Sequence, residues 1–180
     1  MSRVLGAVLA GGRSHRFGSD KANARLDGRR LIDRAIDGLA PQVDAVIVCG
    51  REVPGYVSVP DCPAADLGPL GGLNAAMHYA REHDFETVVA VPCDVPFLPS
   101  DLAVRLASAG ASAYLPNLPV IGRWPSSLAA LLDHHLATSA DRSMRFWATV
   151  AGAHPVHAGE LANVNTPADL HRIASGSSPL

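Results

Sequence analysis

The sequence predicts an α/β protein, a three-layer sandwich with helices on both faces of a mainly parallel sheet. Three observations carry that expectation. Short apolar runs alternate with segments of helical period along the chain. Three of those runs, residues 3–10, 45–49 and 87–91, are continuously apolar after Arg3 and Thr87, as strands covered on both faces are. Each ends in glycine or in proline and acid, the punctuation of a strand-to-helix turn. With 180 residues, no internal repeat and no long linker, the chain reads as one Rossmann-like domain over 1–174, with a frayed tail at 175–180.

The elements follow in order. After the first strand comes a glycine-rich loop, 11–20. Apolar residues at 31, 32, 35, 36 and 39 mark one face of a helix that ends before Pro41. Residues 45–49 form the second strand, and Val57 and Val59 a short third. A loop from Asp61 to Gly68 leads through Gly68-Pro69 into a helix over 70–83, and 87–91 is the next buried strand. Ser100 is the expected N-cap of a helix running to about Ala109, with Asp101 favourable to its dipole. Two short strands are expected around Pro116–Pro119, helices near 126–137 and 142–151, and short strands near 154–157 and 161–164. Thr166-Pro167 opens the last helix, threonine as N-cap and proline at the first helical position.

Composition narrows the function. A chain that is 48% hydrophobic and 18% charged, with net charge −2, is not disordered. A pI of about 6.4 excludes a generally basic nucleic-acid binder. Yet residues 1–34 hold eight basic and three acidic side chains, a local excess that suits a small polyanion, although several of these arginines are expected only to solvate a helix face. Cys49, Cys62 and Cys93 lack disulfide or zinc-ligand spacing, and His134, His135, His154 and His157 lack metal-binding patterns and are expected on exposed positions. Residues 4–10 are too short for a signal peptide and no span approaches the ~18 apolar residues of a membrane helix, so the expected compartment is the cytoplasm.

Four constellations bear chemistry. The first is Leu9-Ala10-Gly11-Gly12 with Arg13, Arg16, Gly18 and Lys21: bare backbone at a strand's carboxyl end, where amides approach phosphate closely, plus positive charge. Its spacing is neither that of a P-loop nor GxGxxG. Lys21, the only lysine beside 14 arginines, falls nine residues after Gly12. The second is Pro92-Cys93-Asp94-Val95-Pro96; its aspartate could cap a turn or hold Mg²⁺ against a phosphate, since Mg²⁺ uses one or two carboxylates plus phosphate oxygens. In the third, Asp61 or Asp66 with Gly68-Pro69-Leu70-Gly71-Gly72 would meet a planar base or ribose, or the glycines would merely pack a helix. The fourth, Asn163-Val164-Asn165-Thr166-Pro167, offers neutral amides at a helix start; alone it is a cap.

These motifs, in this order, resemble bacterial molybdenum cofactor guanylyltransferases over residues 4–174. The resemblance implies the nucleotide-diphospho-sugar-transferase type of nucleotidyltransferase fold, and transfer of GMP from GTP·Mg²⁺ to the phosphate of molybdenum–molybdopterin. It implies that Leu9, Ala10, Gly11, Gly12, Lys21, Asp61, Gly71 and Asp94 bind GTP, with Arg16, Lys21 and Asp94 catalytic and Asp94 the metal ligand. Asn163 and Asn165 would contact molybdopterin, dividing the chain into a GTP/Mg half of about 1–100 and a molybdopterin half of about 101–174. Molybdenum-insertion and molybdoenzyme maturation proteins are implied partners; nucleic acid and membrane are not. The chain departs from the family's pattern at Val48, at His15 and Phe17, and along 117–128. The competing readings are a cytidylyltransferase of molybdopterin or of another phosphorylated small molecule, and a catalytically silent nucleotide-binding protein. Ala10-Gly11-Gly12 favours guanine over the Ala-Ala-Gly of cytidine-using relatives, because a side chain there would crowd the larger base.

Overall fold

A computed structural model of the chain describes residues 2–11 and 21–175. Its first strand, β1 (Val4–Leu9), is buried along nearly its whole length because it has a parallel neighbour on each side. A two-stranded hairpin, β2 (Arg25–Leu26) and β3 (Arg29–Arg30), precedes α1 (Leu31–Leu39). Then come β4 (Ala45–Cys49), β5 (Val57–Val59), α2 (Pro69–Glu82) and β6 (Thr87–Pro92). The second half contains α3 (Leu102–Ala109), β7 (Ala113–Leu115), β8 (Leu118–Pro125), α4 (Ala129–Thr138), α5 (Met144–Val150), β9 (His154–Pro155) and α6 (Pro167–Ala174).

Among the described residues seven strands form one sheet in the order β5-β4-β1-β6-β8-β7-β9. The β5-β4-β1-β6 block is parallel; β8 runs against both β6 and β7, and β9 runs parallel to β7. Two reversals restore direction, so β6, β7 and β9 all end on the same edge of the sheet as β1, β4 and β5. Period-two alternation divides the core. Leu5, Ala7, Leu9, Ile47, Val88 and Ala90 face α2, α4 and α5. Val8, Val48, Val89 and Val91 face α1 and α3. This is the expected three-layer sandwich.

Several local expectations need correction. Ser100 is not the cap of α3: Asp101 holds that position without a side-chain cap bond and pairs with Arg105 at 2.8 Å instead. The first-turn amide of Ala103 is satisfied from a distance by Gln42 Oε1 at 3.0 Å. Residues 161–164 form no strand, and β8 is one eight-residue strand rather than a short segment. The β2–β3 hairpin was unanticipated. His135 is buried, at 5% exposure, against the rings of Phe146 and Trp147, whereas His134, His154 and His157 are exposed as expected. The last helix starts as expected, and Asp169 completes a capping box with Thr166. Among the described residues no helix is long and apolar enough to cross a membrane.

Candidate functional site

The carboxyl ends of the central strands are tied side to side. Ala10 N–H donates to the Cys49 carbonyl (2.9 Å), Gly50 N–H to that of Val59 (2.8 Å) and Cys93 N–H to that of Leu9 (3.1 Å). The bare backbones of Gly11 and Gly50 then come close enough that a Cβ on Gly50, at φ +79°, would lie 2.3 Å from the Gly11 Cα. A Cβ on Gly11 would lie 2.9 Å from both carboxylate oxygens of Asp61. A side chain at this position therefore collides with Asp61. Gly71 and Gly72 back Asp61 from α2: Cβ atoms there would lie 3.2 Å from the Asp61 Cβ and 3.5 Å from its Oδ1.

Asp61 is thus a carboxylate set among four glycines. Burial first, and the nearby Asp66 carboxylate second, push its carboxyl pKa upward from the ordinary value. Its Oδ1 is buried and has no hydrogen-bond partner among the described residues. The cavity in front of it, about 620 Å³, is lined by Ala10, Gly11, Gly50, Arg51, Asp61 and Asp66 among others. A half-buried carboxylate with one oxygen withdrawn from water is suited to N–H donors on a ligand. Arg51 was not singled out from the sequence, although the rule that found Gly11 and Asp94, to look just beyond a buried strand, also applies after Cys49-Gly50.

Asp94 follows β6, the next strand over from β1. It is half-buried, and its carbonyl accepts from Val164 N–H at 2.9 Å. No group of three or more His, Cys, Asp or Glu side chains forms a metal cage among the described residues. A single carboxylate just beyond a strand end fits Mg²⁺, which keeps waters and borrows phosphate oxygens, and does not fit a structural zinc centre; Asp94 lines neither cavity.

A second cavity, about 660 Å³, opens beyond the ends of β7 and β9 and is lined by Leu115, Asn117, His157, Asn163 and Arg172 among others. Asn163 reaches it because Val164 beside it is wholly buried with Leu26 and Leu31. Asn165 is exposed, and its N–H donates to Asp169 Oδ2 (2.9 Å) in the cap of α6.

Gly12 and Arg16 lie outside the described residues. Lys21 opens a 3₁₀ turn over 21–23. Of the other basic residues near the N-terminus, Arg29 pairs with Asp37 and Arg30 with Asp33, while Arg34 donates to the Leu26 carbonyl at 2.8 Å. These arginines brace the hairpin and α1, so the expectation of phosphate binding rests on residues 13–21.

The chain matches the family of MobA-like NTP transferase domains over residues 6–156. It is 38% identical over 192 residues to a molybdenum cofactor guanylyltransferase of Rhizobium johnstonii, covering 94% of this chain and 90% of that one. The fold is similar to the crystal structure of molybdopterin-guanine dinucleotide biosynthesis protein A from Archaeoglobus fulgidus, with TM-score 0.75 at 19% identity over 95% and 97% of the two chains. It is also similar to a Mycobacterium tuberculosis protein solved as a manganese complex, with TM-score 0.63 at 14% identity over 97% and 99%.

Proposed function

The chain belongs to the family of MobA-like NTP transferase domains, and we propose that it transfers GMP from GTP to the phosphate of molybdenum–molybdopterin. The observation that carries this reading is the strand order. One cavity lies beyond β1, β4 and β5, the other beyond β7 and β9, and Asp94 stands between them at the end of β6 on the same edge. Ligands of open α/β sheets bind outside the carboxyl ends of the strands, and two substrates must meet there for a group to pass between them.

Asp61 supports guanine. Its two acceptor oxygens match the adjacent ring N–H and amino group on the Watson–Crick edge of guanine, whereas cytosine and adenine offer a single amino donor there. The backbone at Ala10 and Gly11 would carry the nucleoside, and Gly12, Arg16 and Lys21 its phosphates. Asn163, Asn165 and the second cavity would take the molybdopterin, so the GTP half is about 1–100 and the pterin half about 101–174.

In the reaction a phosphate oxygen of molybdopterin attacks the α-phosphorus of GTP. The α–β anhydride bond breaks, pyrophosphate leaves, and molybdopterin guanine dinucleotide remains. The attacking phosphate is already an anion at neutral pH, so alignment and cationic screening matter more than a base. Asp94 would hold Mg²⁺, which supplies positive charge to the α-phosphoryl group and leaving pyrophosphate. Lys21 and Arg16 would add fixed positive charge. Cys49, Cys62 and Cys93 are free thiols, which suits a reducing cytoplasm. The product's use in molybdoenzymes implies hand-off to maturation proteins.

The test incubates the protein with Mg²⁺, molybdenum–molybdopterin and either GTP or CTP, with mass detection of the dinucleotide. The guanine product is expected. Preferential use of CTP, or nucleotide binding without turnover, overturns the reading.

A further inference from the structure

Asn74 is fully buried in α2, a helix whose other inward positions, Leu70, Leu73, Ala76 and Met77, are apolar. Its Nδ2 donates to Asp133 Oδ1 on α4 at 2.7 Å and, at 3.4 Å, to the carbonyl of Cys62. The Cys62 N–H donates to the Gly71 carbonyl at 3.1 Å. Both peptide groups flanking the Cys62 Cα are therefore gripped by α2, and Asp61 is the residue immediately before. The Asn74 amide is nearly symmetric in shape and could face either way; an anionic neighbour admits only its NH₂ end. Asp133 thereby decides that the same NH₂ also faces Cys62. His78, one turn along α2, closes the arrangement with Nε2 at 3.0 and 3.1 Å from the two Asp133 oxygens.

The arrangement makes little sense as stabilisation alone. Asn74 Oδ1 is buried and has no hydrogen-bond partner among the described residues, so the amide brings an unsatisfied acceptor into an otherwise apolar helix face. Burial works to raise the Asp133 carboxyl pKa, but hydrogen bonds from Asn74 and His78 outweigh it and hold the carboxylate below its usual range. Neither Asn74 nor Asp133 lines the nucleotide cavity.

We infer that Asn74 and Asp133 are positioning residues that act through Cys62 to set the Asp61 carboxylate against the nucleotide base, and so tune selectivity from behind the site. The inference rests on the reading of Asp61 as the base-recognition group. It assigns α4, which packs against α2 and contributes nothing to the lining of the nucleotide cavity, a part in choosing the base.

The test is a binding titration with GTP and with inosine triphosphate, which lacks the 2-amino group. Wild type, Asp61→Asn, Asn74→Leu, Asp133→Asn and the double variant Asp61→Asn/Asn74→Leu are compared, with thermal unfolding recorded for each. Asn74→Leu is chosen because it removes the whole buried amide; the unfolding measurement shows that the variant is folded at the titration temperature. In Asn74→Leu and Asp133→Asn, GTP affinity should fall roughly tenfold, the scale of one charge-assisted hydrogen bond, while inosine triphosphate binds nearly as before. With the substrates present, KM for GTP should rise and kcat hold. The double variant should bind no worse than Asp61→Asn. An unchanged GTP-to-inosine-triphosphate ratio in Asn74→Leu, or additive losses in the double variant, overturns the inference. An unchanged ratio in Asp61→Asn overturns the underlying reading instead.

Discussion

The two cavities on the carboxyl edge are built from different materials. The one beyond β1, β4 and β5 is made of strand ends, tied by backbone hydrogen bonds and closed around Asp61 by Gly11, Gly50, Gly71 and Gly72. The one beyond β7 and β9 is made of a hairpin, an irregular segment and α6, a helix with no buried residue. Leu115, Leu118, Val156, Ala158 and Leu161 pack it on the main core, but its α6 side is held by the three-residue cluster of Leu26, Leu31 and Val164, with Leu170 and Ile173 leaning on it. A site set by backbone contact tolerates almost no added atom. A site set by a small satellite cluster moves by degrees as that cluster loosens, and such regions occupy the low-stability end of a fold. Under the proposed reading the nucleotide would be recognised on the rigid side and the bulkier second substrate on the softer side.

Asp94 lies at the junction, and its removal should have the largest effect. Asp94→Ala is expected to lower GTP-dependent turnover about 10³-fold with Mg²⁺, because charge on the α-phosphoryl and leaving group loses its main counter-charge. Binding of GTP without metal should change little. Turnover near wild type would remove Asp94 from the chemistry.

Next come variants that test the rigidity of the first cavity. Gly11→Ala places a Cβ 2.9 Å from both Asp61 oxygens, so GTP affinity should fall roughly 10-fold or more while the fold persists. Gly50→Ala adds strain at φ +79° and a clash with backbone, and should also cost about 1–3 kcal/mol of stability by thermal unfolding. Asp61 gives the same comparison a pH axis. Its folded pKa is raised, so any stability from its neutral form is present at low pH and fades as pH rises through the folded value. Base recognition has the opposite sign, since only the ionised carboxylate accepts both donors. GTP affinity should therefore drop on acidification at a higher pH than an ordinary aspartate would impose, and that drop should vanish in Asp61→Asn.

The same division governs how much was legible in the sequence. Strand β1, Gly11, Asp94 and the start of α2 were readable because each is local: an apolar run, then a residue that only a turn or a ligand wants. Asp61 could be proposed from its place before Gly68-Pro69, but not its four-glycine surroundings, which come from three separate elements. The second cavity was much less readable. Its anchor is Val164 meeting Leu26 across more than a hundred residues, through a hairpin whose two-residue strands carry no periodicity. Residues 161–164 looked like a strand because Leu161 and Val164 are apolar. In the structure Val164 enters the satellite cluster and its N–H is taken by Asp94, not by a sheet neighbour. The cap of α3 failed for the same reason: Gln42 lies 61 residues from Ala103, beyond the reach of any local window.

On the softer side the expected effects are smaller and selective. Val164→Ala should cost roughly 2 kcal/mol, since it removes two wholly buried methyl groups from the centre of the satellite cluster. It should raise KM for molybdopterin more than KM for GTP; equal effects on both would mean that the two cavities are not mechanically separable.

The smallest effect concerns the cap of α6. Thr166→Ala removes the hydroxyl that accepts from Asp169 N–H at 3.2 Å and should cost about 1 kcal/mol. Asp169 supplies the pH dependence. Burial would raise its carboxyl pKa, but hydrogen bonds from the backbone of Asn165 and from Thr166 outweigh this and hold it below the usual range. A depressed folded pKa stabilises above the unfolded value and is lost as pH falls through the folded one. The gap in unfolding temperature between wild type and Asp169→Asn should thus be full at neutral pH and close below about pH 4, the ordinary aspartate value. Because Asn165 N–H is held by Asp169 Oδ2, closure of that gap should be accompanied by weaker molybdopterin binding with GTP binding intact. A gap that persists into acid would mean that Asp169 stabilises the cap by something other than its charge.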